Sequence, residues 1–306
     1  MANGNGKGTT GSGAATAALD LAGVKEQIQR WLREDIGPGD VSSLSILPEG
    51  HRSRAIIHAK QDGVVAGLPV AEAVFAEVDP ALTVARVARE GAPIRKGDVL
   101  LEAEGSTLSI LSGERLALNL LQRMSGIATQ TSRFVEAIAD VPSRPRIVDT
   151  RKTTPGLRAL EKYAVRVGGG HNHRFGLFDA VLLKDNHIKA AGGVVEAVSR
   201  ARAFVPHTMR IEVEVESFEQ VEQALEAGAD IIMLDNMSPE RMREAVVRIR
   251  AASPKTVIEA SGGVSLDTVR AIAETGVDVI SVGGLTHSVK ALDISLDLNE
   301  KKEVRG

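Results

Sequence analysis

The chain has 306 residues, enough for one large α/β domain with a smaller companion and too many for a single small module. Its mean hydropathy of −0.01 and its 25% of charged residues are typical of a soluble globular protein, which we expect in the cytoplasm. The absence of cysteine excludes disulfides, thiolate zinc sites and a cysteine nucleophile. The net charge of −3 and the aromatic content of 3% argue against a nucleic-acid-binding protein, and no apolar run is long enough to cross a membrane.

The first part of the chain is predicted to be a mixed α/β domain. Residues 1–17 are rich in Gly, Ala and Thr, and we interpret them as a disordered tail. Apolar residues at helical spacing predict a helix over 19–32, which the glycines and proline of 35–40 end. Turn residues and one helical segment then separate the strand-like segments RAIIHAK, GVVAG, LTVARVA and KGDVLLEAEG. We assign this domain to residues 18–116, with the C-terminal segment 289–306 packed on it.

A long helical stretch over 109–139 precedes a different pattern. After it, amphipathic helices alternate with the apolar strands RIVDT, DAVLLK, RIEVEVE, DIIML, TVIEAS and DVISVG. Right-handed crossovers between such βα units favour a parallel sheet, which can stay open or close as a barrel. We favour a barrel because polar residues cluster at the C-terminal ends of the strands, where (β/α) barrels assemble their active sites. The barrel is assigned to residues 117–288.

Charged residues and glycines are distributed unevenly over these strand ends. Between Thr150 and Ala190, eight Lys or Arg against three acids give a charge of +5, so the rest of the chain carries −8. A cationic island in an acidic protein suits a small polyanionic substrate. The residues at the successive strand ends are Arg151 and Lys152, then Lys184, Glu214, Asp235, Ser261 with Gly262 and Gly263, and Gly283 and Gly284 with His287.

The strand RIEVEVE places Glu212, Glu214 and Glu216 on one face and its apolar residues on the other. A lone strand with this alternation is more often an edge strand with a solvated face, but within a βα series the glutamates point into the barrel. Glu214 and Asp235 could then bind Mg²⁺ through water or accept hydrogen bonds from sugar hydroxyls, because hard oxygen ligands suit that ion. Asp235 could instead cap the following helix.

The glycine pairs of ASGGV and SVGGLTH follow the last two strands and precede helices. This arrangement lets backbone N–H groups approach a phosphate, which barrels often bind at this place. One glycine pair is more often only a tight turn. Two pairs, with Ser261 and His287 as further donors, indicate a phosphate site.

The segment GGGHNHR, residues 168–174, lies between a predicted helix and a strand, where it could be a simple flexible connector. We expect instead that His171, His173 and Arg174 converge with the basic residues of the strand ends and bind carboxylates. A zinc site from the two histidines is disfavoured, because no acid lies at an obvious ligand spacing and arginine repels the metal. Lys184 could also form a Schiff base.

The order and spacing of the motifs are similar to those of the quinolinate phosphoribosyltransferase family. The motifs run from about residue 19 to the C-terminus and read EDIGPGDVSS, GVVAGLP, SGERLALNLLQRMSGIAT, DTRKTTPGLRALEKYAVRVGGGHNHRFGL, LLKDNH, IEVEVES, IMLDNM, ASGGV and SVGGLTHS. The resemblance implies an incomplete α/β barrel with an N-terminal α/β sandwich domain, in a homodimer whose sites combine one subunit's barrel with the other's N-terminal domain. It also implies transfer of phosphoribosyl from phosphoribosyl pyrophosphate (PRPP) to quinolinate with decarboxylation, with Mg²⁺ as cofactor, in NAD biosynthesis.

The same resemblance implies roles for individual residues. Arg115 would reach quinolinate from the neighbouring subunit, and the carboxylates would be held by Arg151, His173, Arg174 and Lys184. Lys152 would contact PRPP, while Glu214 and Asp235 would serve its ribose and Mg²⁺. The 5′-phosphate would be held by Ser261, Gly262, Gly263, Gly283, Gly284 and His287. The expected catalytic residues are Lys152, Lys184, Glu214 and Asp235.

Three other functions stay open at this point. A paralogue of the same fold with another substrate, such as those associated with molybdenum transport, is disfavoured by the intact run of basic residues. A Schiff-base aldolase using Lys184 would be revealed by borohydride trapping with a carbonyl substrate. A sensor that binds phosphate ligands without reacting would bind PRPP and release no pyrophosphate.

Overall fold

The computed structural model describes residues 19–298, and the tail predicted for residues 1–17 lies outside this range. The first elements in chain order are α1 Leu21–Ile36, α2 Val41–Ile46, β1 Arg52–Ala59, β2 Gly63–Val64, α3 Leu68–Val78, β3 Thr83–Arg86, β4 Pro93–Ile94, β5 Val99–Ser106 and α4 Thr107–Ala137. None of the helices within the described range is both long and apolar enough to span a membrane.

The remaining elements alternate between strands and helices. They are β6 Arg146–Val148, α5 Arg158–Val167, β7 Val181–Leu183, α6 Asp185–Ala191, α7 Val194–Phe204, β8 Ile211–Val215, α8 Phe218–Glu226, β9 Ile231–Asp235, α9 Pro239–Ala252, β10 Val257–Ser261, α10 Val269–Ala273, β11 Val279–Ser281, α11 Gly284–His287 and β12 Ile294–Leu298.

Local signals in the sequence account for the first helix. The side chain of Asp20 caps α1 by accepting a hydrogen bond from the backbone N–H of Gly23 at 3.2 Å. The buried residues recur at every fourth position and are Val24, Ile28 and Leu32. Gly37 ends the helix with a left-handed φ of 54°. The helix predicted over 19–32 is confirmed, and it extends one turn further.

The N-terminal elements form an antiparallel sheet with the strand order β12-β1-β5-β3, and β2 pairs with β4 in a separate ribbon. β12 comes from the C-terminal end of the described chain. The long helix α4 packs on α3 in this part and on α5 and β6 in the other. The boundary assigned between residues 116 and 117 therefore falls inside one continuous helix, and the division into two domains stays a prediction.

Six parallel strands form the second sheet, in the order β6-β11-β10-β9-β8-β7. Among residues 19–298, the outer strands β6 and β7 do not pair with each other, so the barrel is incomplete. The segment after α5 partly fills this gap: His171 forms a single parallel bridge with Val148, and its N–H donates to the carbonyl of Ile147 at 2.8 Å. The predicted incomplete (β/α) barrel is confirmed.

Candidate active site

Strand β8 carries two glutamates into the barrel interior. It pairs with β7 on one side and with β9 on the other, so it is not an edge strand. Helices α7 and α8 cover its apolar residues, which are the fully buried Ile211, Val213 and Val215. Glu212 is buried and Glu214 is partly exposed, so the predicted inward face is confirmed for both. Glu216 lies beyond the end of the strand and is exposed.

Two arginines lie close together at the open mouth of the barrel. Arg151 follows β6, and Arg174 lies in the segment between α5 and β7. Burial, and next the positive charge of Arg151, lower the pKa of Arg174. Nε of Arg151 is buried and has no hydrogen-bond partner within residues 19–298. Two neighbouring guanidinium groups, one with an unused buried N–H, favour an anion that can accept forked hydrogen bonds.

A buried ion pair holds the segment that carries Arg174. Nζ of Lys162, on α5, donates to Oδ1 of Asp149 at 2.5 Å and to the carbonyl of His173 at 3.0 Å. Asp149 directly follows β6 and also accepts from the backbone N–H of His173 at 2.9 Å and from Nδ2 of Asn172 at 2.5 Å. Burial raises the pKa of Asp149, against the effect of Lys162. One carboxylate thus ties this segment to the end of β6.

A second ion pair, between the partly exposed Arg123 and the buried Glu161, joins the loop after β6 to α11. Arg123 of α4 donates from Nε and Nη2 to Oε1 of Glu161 at 2.8 and 2.6 Å, and Oε2 of Glu161 accepts from the backbone N–H of Thr154 at 3.1 Å. Arg123 also donates to the carbonyl of Thr286 at 3.3 Å. The hydroxyl of Thr286 in turn donates to the carbonyl of Lys152 at 2.8 Å.

The ring of His173 connects the mouth with the barrel interior. Its Nδ1 accepts from the backbone N–H of Arg174 at 2.7 Å, and its Nε2 lies 3.1 Å from Oε2 of Glu212 and 3.6 Å from Oε1 of Glu259. Burial lowers the pKa of His173, but the hydrogen bond to Glu212 and the charge of Glu259 outweigh it, so the net shift is upward. Both ring nitrogens are thus engaged within the protein, and the predicted contact of His173 with a ligand requires exchange of one partner.

Glu212 and Glu259 form a carboxyl pair below His173. Burial, and next the charge of Glu212, raise the pKa of Glu259 to about 8, so this group keeps its proton at neutral pH. One ligand atom from each of the three side chains lies within 4.8 Å of the other two. The proton on Glu259 and the positive charge of Lys162 beside His173 weigh against a metal ion at this place.

The two histidines of GGGHNHR lie in different places. His171 lines a cavity at the beginning of β6, together with Ile138 and Arg146. Burial, and next Arg146, lower its pKa. Our expectation that His171 joins the mouth is wrong, because its backbone pairs with the outer edge of β6 and its side chain lines the cavity at the beginning of that strand. The zinc site considered from both histidines is wrong as well, because the His171 side chain lies at the beginning of β6 and the His173 ring faces Glu212 and Glu259.

Lys184, Glu214 and Asp235 meet at the carboxyl ends of β7, β8 and β9. Nζ of Lys184 lies 3.2 Å from Oε2 of Glu214. Burial raises the pKa of Glu214, Lys184 lowers it, and the nearby charge of Asp235 raises it. Asp235 accepts from Nδ2 of Asn236 at 2.6 Å, while Ser238 caps α9, so the capping role considered for Asp235 is wrong. Two neighbouring carboxylates with free oxygen lone pairs fit the donor set of a Mg²⁺ site.

The loop after β10 has room beside its backbone. Gly262 and Gly263 follow Ser261 with φ values of +88° and +63°, which other residues rarely adopt. A Cβ on Gly262 would lie 2.2 Å from Oδ1 of Asn236, so only glycine fits there. A Cβ on Gly263 would meet no atom within 4 Å. The open side of Gly263 is available to a ligand.

The loop after β11 brings Lys152 to the second glycine pair. A Cβ on Gly283 would lie 3.1 Å from Cδ of Lys152 and 3.1 Å from Nε2 of His287, whereas Gly284 faces open space. Lys152 thus adjoins the second glycine pair and directly follows Arg151 in the chain. We call Arg151, Arg174 and Lys184 the cationic side, and Gly262, Gly263, Gly283 and Gly284 the glycine side.

Arg115 is exposed on α4 and makes no hydrogen bond or ion pair in the part of the chain that the structure describes.

Exposed apolar side chains occur on α2 and on the segment before β7. On α2 they include Val41 and Ile46, 76% and 75% exposed, and before β7 they include Leu177 and Phe178, 73% and 75% exposed. Single apolar residues on a surface are ordinary, but two such groups are candidates for contact with another chain.

Sequence patterns missed the residues that support the site. These are Arg123, Asp149, Glu161, Lys162, Asn172 and Glu259. Asp149 could have been found as an acid at a strand end, two residues before Arg151. Glu161 and Lys162 gave no signal, because a charged pair on an amphipathic helix is normally solvated.

Comparison with known proteins gives the class first. Residues 40–125 match the family model "Quinolinate phosphoribosyl transferase, N-terminal domain", and residues 127–297 match the model for the C-terminal domain. The fold is thus that of a phosphoribosyltransferase barrel with its companion domain. The chain belongs to the quinolinate phosphoribosyltransferase family.

Individual relatives are similar over nearly their whole length. The probable nicotinate-nucleotide pyrophosphorylase (carboxylating) of Bacillus subtilis (strain 168) is 46% identical over 280 residues, which cover 92% of this chain and 95% of that protein. Quinolinate phosphoribosyltransferase (decarboxylating) 1b of Nicotiana tabacum is 44% identical, with 93% and 84% covered. The crystal structure of NadC from Streptococcus pyogenes superimposes with a TM-score of 0.85 at 43% identity, and 91% of this chain and 98% of that chain are covered.

Proposed function

We propose that this protein transfers the phosphoribosyl group of PRPP to quinolinate, which is pyridine-2,3-dicarboxylate, and releases CO₂. The products are nicotinate mononucleotide and pyrophosphate, and the reaction belongs to NAD biosynthesis. The observation that carries the proposal is the close pair of Arg151 and Arg174, with an unused buried N–H, in a chain that matches both domains of the family.

The cationic side suits the charge of the acceptor. Quinolinate carries two adjacent carboxylates, and the guanidinium groups of Arg151 and Arg174 offer forked donors for them. Lys184 adds a positive point charge. Its ammonium group lies 3.2 Å from Glu214 and would contact both Glu214 and a carboxylate of quinolinate. His173 would either contact a carboxylate or hold Arg174 in place. A pyridine with one carboxylate would leave part of this positive charge unpaired, which favours the dicarboxylate.

The glycine side suits the donor. The backbone N–H groups of Gly262, Gly263, Gly283 and Gly284, with the side chains of Ser261 and His287, would bind the 5′-phosphate of PRPP. Lys152 adjoins Gly283 and would reach the pyrophosphate group. Lys152 also directly follows Arg151 in the chain, which supports a role for its charge where the two substrates would meet.

Glu214 and Asp235 would act at the ribose. They would hold Mg²⁺, mostly through water, and the ion when bound neutralises charge on the departing pyrophosphate. As the pyridine nitrogen attacks the anomeric carbon and the bond to pyrophosphate breaks, positive charge develops on the ribose, which the carboxylate of Glu214 stabilises.

The loss of CO₂ needs no protein nucleophile. Once the ring nitrogen is quaternary, its positive charge stabilises the electron pair that stays on the adjacent ring carbon when the carboxylate departs as CO₂, and that carbon then takes up a proton. The cationic side holds the ring in the orientation that this step requires. The protein's contribution is therefore positioning and electrostatic stabilisation.

The protein would act as a cytoplasmic homodimer, with Arg115 reaching the quinolinate of the partner subunit. Two observations support this. Arg115 is exposed and makes no hydrogen bond or ion pair within residues 19–298, and α2 and the segment before β7 expose apolar side chains. In a two-fold dimer, α2 of one copy would meet the segment before β7 of the other.

The direct test supplies purified protein with PRPP, Mg²⁺ and either quinolinate or nicotinate, and measures nicotinate mononucleotide and CO₂. We expect turnover of quinolinate alone. Turnover of nicotinate would contradict a requirement for the second carboxylate. If folded protein turns over neither acid, the paralogue with another substrate or the non-catalytic sensor is favoured.

The shared site can be tested by mixing two inactive variants. Arg115→Ala and Lys184→Ala remove the two predicted halves of one site, so a mixed dimer keeps one intact site. Unfolding and refolding an equal mixture should restore about a quarter of the wild-type activity. No recovery, with mixed dimers present by mass spectrometry, would place both residues in the same subunit's site.

A further inference from the structure

We infer that Glu161 and Lys162, two consecutive residues of α5, are positioning residues that separately fix the PRPP half and the quinolinate half of the mouth. The inference rests on the proposed function for which ligand each half binds. Neither residue is among those proposed to touch a substrate. Each acts through a different loop.

The burial of this charged dipeptide calls for an explanation. The side chains of Glu161 and Lys162 are 1% and 2% exposed, although both are charged. Moving charges out of water is costly, and a buried ion pair often contributes no more stability than apolar residues of the same size. What such a pair does provide is a fixed geometry, because each hydrogen bond has a required direction. Their value here is the geometry that they impose on the loops.

Lys162 reaches the quinolinate half. It donates to Asp149 and to the carbonyl of His173, and Asp149 accepts two further hydrogen bonds from the same segment. This segment continues directly into Arg174, and Asp149 lies two residues before Arg151. Both guanidinium groups of the cationic side therefore extend from backbone that the Lys162–Asp149 pair holds.

Glu161 reaches the PRPP half. Consecutive residues on an α-helix point about 100° apart, so its side chain faces α4 and the loop after β6. It binds Arg123 and the backbone N–H of Thr154. Through Thr286, Arg123 is linked to the carbonyl of Lys152, beside the glycine side.

The test uses binding, so that it does not depend on turnover. Phthalate serves as a dicarboxylate probe and ribose 5-phosphate as a phosphate probe, and calorimetry gives the dissociation constant of each. We expect Lys162→Met to weaken phthalate binding by about tenfold or more and ribose 5-phosphate binding by less than about twofold. Glu161→Gln should show the opposite pattern. A purely structural role would weaken both probes together or reduce only the amount of folded protein.

Milder variants keep the test decisive if a charge deletion fails to fold. Asn172→Ala removes one bond to Asp149 and should weaken phthalate only, whereas Thr286→Val removes the bond to Lys152 and should weaken ribose 5-phosphate only. Lys25→Met breaks a surface lysine–glutamate pair of 2.8 Å and should change neither constant.

The outcomes separate this inference from the proposed function. The crossed pattern would support the inference even if the wild-type protein released no CO₂ from quinolinate, since both probes only report the two anion sites. Equal weakening of both probes by each variant, or unchanged binding of both, would overturn it. A wild-type protein that turns over quinolinate while the variants lack the crossed pattern would retain the function and remove the positioning role.

Discussion

The cationic side and the glycine side recognise anions by different means. The cationic side uses long side chains that start from loops and are held in place by the buried residues Asp149 and Lys162. The glycine side uses the backbone itself, with left-handed φ angles at Gly262 and Gly263 and no side chain in the way. A site made of side chains can discriminate between ligands by charge and fork geometry, whereas a site made of backbone accepts any phosphate that fits.

The largest effect should follow from truncation on the cationic side. Arg174→Ala should lower kcat/KM for quinolinate by about 100- to 1,000-fold, because a partly buried cation is lost and the carboxylate is left without its partner. Arg174→Lys should recover only part, since lysine lacks the fork. The KM for PRPP should hardly change. Steady-state kinetics with each substrate varied in turn provide the measurement.

Arg202→Ala is the control, because Arg202 lies on the surface away from the mouth, where it pairs with Asp230 at 2.7 Å. It should leave both substrate constants unchanged. Unaltered quinolinate affinity in Arg174→Ala would contradict the assignment of the cationic side.

Glu214 lies between the two sides, and its substitution sharpens the comparison. Glu214→Gln keeps the shape but removes the charge, so we expect kcat to fall by about 100-fold while both KM values stay within about threefold. Steady-state kinetics of pyrophosphate release, with each substrate varied in turn, provide the measurement. Glu216→Gln, an exposed glutamate two residues further on, should behave as wild type. A large rise in the KM for quinolinate alone would instead make Glu214 part of the cationic side.

A smaller and opposite effect is expected on the glycine side. Gly262→Ala would bring a Cβ to 2.2 Å from Asn236, which displaces the loop. The KM for PRPP should rise about tenfold, while that for quinolinate stays constant. Gly228→Ala is the control, because Gly228 has a φ of +70° with open space around it and lies outside the mouth. If both variants raise the KM for PRPP equally, backbone strain alone is responsible.

The same contrast explains how much could be predicted from the sequence. Strand ends such as Glu214, Asp235 and Gly262 were predictable, because parallel strands bring their carboxyl ends to one edge. The inward face of RIEVEVE followed from simple alternation. Short helix α2 was missed, although Asp40 accepts hydrogen bonds from the backbone N–H groups of Ser42 and Ser43, a capping signal present in the sequence.

The supporting residues could not be predicted because their partners come from distant parts of the chain. Lys162 meets Asp149 only after α5 packs against the end of β6, and Glu259 meets Glu212 across the barrel, from a strand two places away in the sheet. Periodicity reports which face of an element is buried but not which charged residue lies opposite. His171 shows the same limit. Its backbone pairs with β6, so its side chain lies apart from that of His173, although only one residue separates them in the sequence.

The smallest effect on activity, and a distinct effect on stability, should come from the carboxyl pair under the cationic side. The folded pKa of Glu259 is about 8 against an ordinary value of 4.5, so the stability that its protonated form contributes is fully present below pH 4.5, declines as the pH rises above that value and is gone above pH 8. Glu259→Gln mimics the protonated group at every pH. The free energy of unfolding of the variant minus that of the wild type should therefore increase between pH 5 and 8, by at most about 1.4 kcal/mol per pH unit. Above that range this difference should level off. Urea unfolding at several pH values measures it, with exposed Glu216→Gln as control. A difference that stays flat across this range would mean that Glu259 is already ionised beside His173, and that the cationic side rests on two buried negative charges instead of one.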